Sequence, residues 1–190
     1  MATAAINSWQ VTQAANRLLD GEVLAYPTEA VWGLGCDPDN EAATLRLLEI
    51  KKRPVSKGLI LVAGSVDQVA DLLDPLTSAQ RKQLLASWPG PTTWLLPDDN
   101  QLIPPWIKGD HDSVAVRVSA HPLVAALCLA FGGPLVSTSA NKAGHQPART
   151  SLQVVKQLGR DIDGLLHGRL GARDKPSTII DLQSGRVLRG

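Results

Sequence analysis

Two cysteines in 190 residues, Cys36 and Cys128, are too few and too far apart for a disulfide framework or a thiolate metal site. They read as reduced thiols of a reducing compartment, a single bridge being the one oxidised alternative. No apolar run reaches the roughly 18 residues of a membrane span, and Met1 to Trp9 has no basic start followed by an apolar stretch. The expected location is therefore the cytoplasm, with no membrane partner. Charge of one sign is missing too: 19 lysines and arginines face 18 acidic residues, a net charge of +1, so any pull on a polyanion must come from local clustering.

Several site signatures are absent as well. The histidines, His111, His121, His145 and His167, show no H-x-x-x-H or Cys/His spacing, which argues against structural zinc. There is no G-x-x-x-x-G-K-[ST], and Gly33-Leu34-Gly35 lacks the third glycine of a dinucleotide fingerprint. A nucleotide, if bound, is not held by a P-loop or a Rossmann turn. No G-x-S-x-G elbow surrounds any serine, so Ser139 and His145 make a poor nucleophile and base. Neither internal repeats nor low-complexity segments occur. What remains is an ordinary composition, 44% hydrophobic and 19% charged, which predicts one globular domain over residues 1–190.

Along the chain, Ser8 precedes Trp9, Val11, Ala14, Ala15, Leu18 and Leu19, an apolar stripe at helical spacing that stops at Asp20-Gly21. Val23 to Tyr26 reads as a strand closed by Pro27, and Thr28 to Gly35 as a glycine-containing passage. Asn40 caps a helix that runs out at Lys51-Lys52-Arg53-Pro54. Leu59 to Val62 is a buried-strand run. Helices follow at Val66–Leu73 and Thr77–Trp88, the latter with the capping-box pair Thr77 and Gln80. After the break at Pro89-Gly90-Pro91, Thr92 to Leu96 and Val114 to Val118 read as strands. A helix opens at His121-Pro122 and runs through Phe131, and a strand at Pro134-Leu135-Val136 follows. Thr150 or Ser151 starts a helix through Leu158, and Thr178–Leu182 with Arg186–Arg189 form a hairpin. Strand pairs without an intervening helix predict an α/β protein of mixed α+β character: a twisted mixed sheet flanked by helices, not a purely parallel one.

Three clusters stand out chemically. Ser137-Thr138-Ser139-Ala140-Asn141 packs three hydroxyls and an amide behind an apolar strand signal, at the sheet rim where α/β proteins bind ligands; the alternative is a strand-to-loop turn. Lys51, Lys52, Arg53 and Lys57, with Arg46 one turn earlier, combine point charges with a bidentate fork, which suits a polyphosphate. Their alternative is a solvated helix end, where cations complement the dipole by ~0.3–1 kcal/mol. Pro27-Thr28-Glu29, at the end of a strand, offers a hydroxyl and a carboxylate for a small polar molecule or a magnesium ion, or else a simple cap. Arg117 is a lone cation inside an apolar strand.

Taken in order, Tyr26 to Gly35, Lys51-Lys52-Arg53-Pro54, Ser113 to Val118, Ser137 to Asn141 and Pro176-Ser177-Thr178 resemble the successive motifs of the YrdC/TsaC family, the threonylcarbamoyl-AMP synthases, in its short bacterial form. The resemblance spans nearly the whole chain. It implies a YrdC-like fold with a concave cavity and an enzyme joining L-threonine, bicarbonate and ATP, with Mg2+, into threonylcarbamoyl-adenylate and pyrophosphate. That product feeds the t6A modification of tRNA through the transfer proteins of the same pathway. Carried over residue by residue, Lys51 and Arg53 offset phosphate charge as catalytic and nucleotide-binding groups. Ser113, Ser139, Asn141 and Arg189 are the further nucleotide contacts. Thr28, Arg117, Ser137 and Ser177 hold threonine, with Arg117 taking its carboxylate because a half-buried arginine needs an anion opposite it. No resident metal ligand is implied. Four positions depart from the commoner pattern, Ala30, Trp32, Lys57 and Pro147. A second reading, from the basic segment Arg46–Lys57, is an RNA-binding protein acting on tRNA or rRNA through phosphate contacts.

Overall fold

The computed structural model describes residues 6–189; the reading of the first residues as free of a leader lies, for residues 1–5, outside that range. Helix α1 covers Ser8–Leu19, with Asn7 rather than Ser8 as its cap: the Asn7 carboxamide oxygen accepts from the Gln10 amide at 3.2 Å. Strand β1, Leu24–Pro27, and strand β2, Trp32–Gly35, form an antiparallel hairpin. The second half of the glycine-containing passage is thus a strand, fully buried, whose lack of alternation hid it. Helix α2, Glu41–Lys51, begins where the Asn40 side chain accepts from the Ala43 amide at 3.0 Å. It stops at Lys52, which sits in the left-handed region at φ 52° ahead of Pro54.

Strand β3 is Ile60–Ala63, followed by a 3₁₀ turn at Val66–Val69, the short α3 at Ala70–Leu73 and α4 at Ser78–Leu85, where the Thr77/Gln80 capping box is formed. Strand β4, Thr92–Pro97, leads through a four-residue helix α5, Pro105–Lys108, to β5, Ser113–Val118. Helix α6 is Pro122–Phe131 and β6 is Leu135–Ser139. The hydroxyl run thus starts inside the strand, and only Ala140 and Asn141 lie beyond it. Helix α7, Ser151–Leu158, starts at the Thr150 cap; β7, Gly164–Leu165, and the hairpin β8, Thr178–Asp181, with β9, Val187–Arg189, complete the chain. Among the described residues no helix is long and apolar enough to cross a membrane.

The nine strands form one mixed sheet in the order β7-β1-β2-β6-β3-β5-β4-β8-β9, with β3–β5, β4–β8 and β1–β7 parallel and the other pairs antiparallel. This is the expected mixed sheet. Period-two alternation sorts its side chains onto two faces. Val114, Val116 and Val118 of β5 enter a large apolar cluster with Leu47 and Leu48 of α2 and Leu84 of α4. On the opposite face, α1 and α6 bury Ala15, Leu18, Val124 and Leu127 against Leu24, Tyr26, Val62 and Leu135. Each fully buried leucine contributes on the order of 1.5–3 kcal/mol.

Those two helices cover only part of their face. Ile60, two residues before Val62, and Ser137, two after Leu135, share that face but lie outside the helices' cluster. Arg117 is the β5 partner of Val62, Ala115 pairs with Leu95 of β4, and Ile179 of β8 pairs with Thr93. The twist of the sheet therefore leaves a concave, partly polar surface beside α1 and α6, and the site occupies it.

Candidate active site

A cavity of about 540 Å³ opens on this surface. Every site residue implied by the family resemblance lines it: Thr28, Lys51, Arg53, Ser113, Arg117, Ser137, Ser139, Asn141, Ser177 and Arg189, whereas Arg46 of the basic cluster does not. They come from six separated places in the chain, which sheet order brings together. Lys108, His111, Arg173 and Lys175 also line the cavity and were missed. A signal existed for two of them: Arg173 and Lys175 directly precede the Pro176-Ser177-Thr178 motif.

The cavity is cationic. Lys51, Lys52, Arg53, Lys57, Lys108, Arg117, Arg173, Lys175 and Arg189 line it, against one carboxylate among the described residues, Glu29. Lys108 is paired with the buried Asp98 at 2.9 Å. Burial, then the neighbouring Arg117 and Arg53, push the Arg189 guanidinium below its ordinary value, and burial lowers Arg53 likewise. Like charges drawn together, some of them partly buried, favour a polyanionic occupant.

Lys51 ends α2 with its side chain buried, and its ammonium donates to the Ser139 and Asn141 carbonyls, the latter at 3.0 Å. The cation at the helix end is therefore turned into the protein, where it fastens the exit of β6. Burial, with Arg53 adding, pulls its pKa down to about 8. Arg53 arches over its own loop: Nε and Nη2 donate to the Gly58 carbonyl at 3.2 and 2.9 Å, and Nη2 to that of Lys57 at 3.1 Å. Gly58 tolerates this turn because its φ is +59°, and a Cβ there would meet the Lys108 carbonyl at 2.7 Å.

Arg117 already has an anion opposite it. Its Nη1 lies 3.0 Å from Glu29 Oε2, with both side chains only 10% exposed. The anion that a buried arginine needs is thus supplied within the chain, by Glu29. Its Nε, however, is buried and without a hydrogen-bond partner among the described residues. Glu29 Oε1 accepts from Ser119 Oγ at 2.7 Å. Burial alone would raise the Glu29 carboxyl, but Arg117, the Ser119 hydroxyl and the backbone outweigh it and hold it below its ordinary value.

The hydroxyls are specifically committed. Thr28 Oγ1 donates to the Val31 carbonyl at 2.8 Å, closing the β1–β2 turn and leaving its lone pairs free. Ser177 Oγ accepts from Thr93 Oγ1 at 2.9 Å and from Arg189 Nη2 at 3.0 Å, so its own proton remains to be donated. Asn141 gives its amide protons to the Lys142 and His145 carbonyls, while its Oδ1 is buried and unpartnered among the described residues. His145 Nδ1 faces the Ala143 carbonyl at 3.3 Å.

A magnesium ion does not fit the Thr28/Glu29 turn. Its carboxylate is occupied by Arg117, and no group of three or more acidic, histidine or cysteine side chains that could hold a metal exists among the described residues. The basic segment read as an RNA surface is also largely spent: Arg46 is tied to Asp163 at 2.5 Å, Lys51 is buried, and Arg53 holds its own loop. Cys36 and Cys128 are free and buried, and burial pushes both thiols up to about 12.

A mixed-sheet protein with a cationic, hydroxyl-rich cavity beside two covering helices defines a class that binds anionic small molecules. The Sua5/YciO/YrdC family profile, described as telomere recombination, matches residues 16–190, and the chain belongs to that family. The threonylcarbamoyl-AMP synthase of Marinobacter nauticus is 56% identical over 180 residues, 95% of each chain. Among solved structures, P. abyssi Sua5 complexed with L-threonine superposes with a TM-score of 0.89 at 30% identity, over 98% of this chain and 54% of that longer one. E. coli YciO superposes with a TM-score of 0.82 at 25% identity, covering 96% of this chain and 89% of that one.

Proposed function

We propose that this chain is a single-domain cytoplasmic threonylcarbamoyl-AMP synthase, supplying threonylcarbamoyl-adenylate to the proteins that complete the t6A modification of tRNA. The observation that carries the reading is the convergence of all ten expected residues on one cationic cavity of about 540 Å³. A relative bearing that name at 56% identity and a neighbour crystallised with L-threonine support it.

The chemistry runs in two steps. The amine of threonine attacks the carbon of bicarbonate, from which water departs, or of its dehydrated form, CO2, in which one C=O π bond opens onto oxygen; an N–C bond forms, the nitrogen loses its proton, and a carbamate results. A carbamate oxygen then attacks the α-phosphorus of ATP, and the bond to the pyrophosphate oxygen breaks. Negative charge builds on the departing phosphates, where Lys51, Arg53 and Arg189 offset it in a site that excludes much water. Ser113, Ser139 and Asn141 position the nucleotide, and Thr28, Ser137, Ser177 and Arg117 the amino acid, through short hydrogen bonds. Magnesium enters as part of the Mg2+–ATP substrate, the phosphates supplying its oxygen ligands.

Purified protein given Mg2+–ATP, L-threonine and bicarbonate is expected to release pyrophosphate only when all are present. Release that ignores threonine would count against the assignment. The RNA-binding reading is not favoured: Arg46 is paired with Asp163, and Lys51 and Arg53 line the small-molecule cavity.

A further inference from the structure

An amino acid enters as a zwitterion, and its ammonium meets a cavity whose walls carry nine cationic side chains. Coulomb repulsion from a like charge at 4 Å is about 4 kcal/mol near a protein surface, so the ammonium must sit where negative charge is concentrated. Among the described residues Glu29 is the only carboxylate lining the cavity. Each of its oxygens already accepts one hydrogen bond, Oε1 from Ser119 at 2.7 Å and Oε2 from Arg117 at 3.0 Å, and each retains a further lone-pair direction. In the same turn, Thr28 Oγ1 has given its proton to Val31 and presents only lone pairs. Arg117 keeps its buried Nε unpartnered among the described residues.

Resting on the synthase reading above, we infer that Glu29 is the anchor for the α-ammonium of the amino-acid substrate, its pair with Arg117 forming a ready-made receptor for a zwitterion. The substrate carboxylate meets the free donors of Arg117, the ammonium meets Glu29 with Thr28 Oγ1, and the four charges alternate in sign. Without substrate, the two side chains neutralise each other at a depth where either alone would be costly. Selection thus falls on molecules that bear both charges. An analogue carrying only the carboxylate gains Arg117 but leaves Glu29 unanswered.

Titration calorimetry with the full chain tests this. L-threonine, its amine-free counterpart (R)-3-hydroxybutanoate, and pyrophosphate serve as probes, with wild type and Glu29→Gln compared. Wild type should prefer threonine over 3-hydroxybutanoate by at least about ten-fold, as expected for a hydrogen bond between charged groups. Glu29→Gln should weaken threonine by about ten-fold or more, hold 3-hydroxybutanoate within about three-fold, and bind pyrophosphate at least as tightly, one negative charge having been removed. Equal wild-type affinity for threonine and 3-hydroxybutanoate overturns the inference without needing a folded variant. So does an equal loss of both ligands in Glu29→Gln, which would make Glu29 only a support for Arg117. Failure of wild type to bind threonine at all would instead overturn the synthase reading on which the inference rests.

Discussion

Lys51→Met separates two roles that the structure assigns to a single ammonium. In the free protein, Lys51 donates to the carbonyls of Ser139 and Asn141. Each charge-assisted bond is worth about 1.5–3 kcal/mol, so their loss costs on the order of 3–6 kcal/mol. Against this stands burial of the cation, which lowers its pKa from 10.5 to about 8, or roughly 3 kcal/mol at about 1.4 kcal/mol per pH unit. Methionine keeps the buried stem and removes that penalty. The net loss of stability should be small, about 0–3 kcal/mol, read as a shift of the urea midpoint at constant m. Binding has no such compensation, because a phosphate loses a cation held at a buried position. Pyrophosphate and ATP should bind about 10–100-fold more weakly by calorimetry, from about 1.5–3 kcal/mol. A variant that unfolds more readily by 5 kcal/mol or more, yet binds pyrophosphate like wild type when folded, would refute the reasoning and reduce Lys51 to a strut.

Other outcomes follow from neighbouring groups. Arg53→Ala should abolish most threonine-dependent pyrophosphate release and quicken proteolysis at the 54–58 loop, which loses its ties to Gly58 and Lys57; a near-normal rate would remove Arg53 from the phosphate site. Ser139→Ala should weaken nucleotide binding by a few-fold to about thirty-fold, about 1–2 kcal/mol for one lost hydrogen bond, whereas near-total loss of turnover would mark a nucleophile. The folded pKa of Lys51, about 8, lies below its unfolded value of 10.5, so its deprotonation favours folding and its burial penalty is relieved as pH rises from about 8 towards 10.5. A bound polyphosphate favours the ammonium instead. Pyrophosphate affinity should therefore fall as pH rises through 8, with proton uptake on binding, seen as a dependence of calorimetric heat on buffer ionisation enthalpy; pH-independent affinity from 7 to 9 would contradict it.

Local physics made much of the fold legible. Asn40, Thr77 and Thr150 cap the helices that their spacing announced, because capping needs only neighbours three residues away. The apolar β5, with Arg117 as its one charged member, was legible as a strand. Strand β2 stayed hidden, since buried Trp32 to Gly35 has neither alternation nor β-branched residues; β7, only two residues long, leaves too short a pattern to read. Of the candidate site, Thr28, Lys51, Arg53, Arg117 and the Ser137–Asn141 run stood out by residue type, because a polyanion and a polar amino acid demand cations and hydroxyls, whereas Ser113, Ser177 and Arg189 came only with the family resemblance.

The sequence by itself thus determined the helix caps, the strand carrying Arg117 and the roster of groups able to hold a phosphorylated and an amino-acid ligand. Only the tertiary structure decided which of them are free. Glu29 and Arg117 are 88 residues apart and meet because β1 and β5 are brought onto one concave face; Lys51 reaches Asn141 across 90 residues for the same reason. Sheet order and twist are set by the sum of long-range contacts, and no local pattern encodes which carboxylate will neutralise which guanidinium. That pairing converted a lone arginine awaiting an anion into half of a paired receptor.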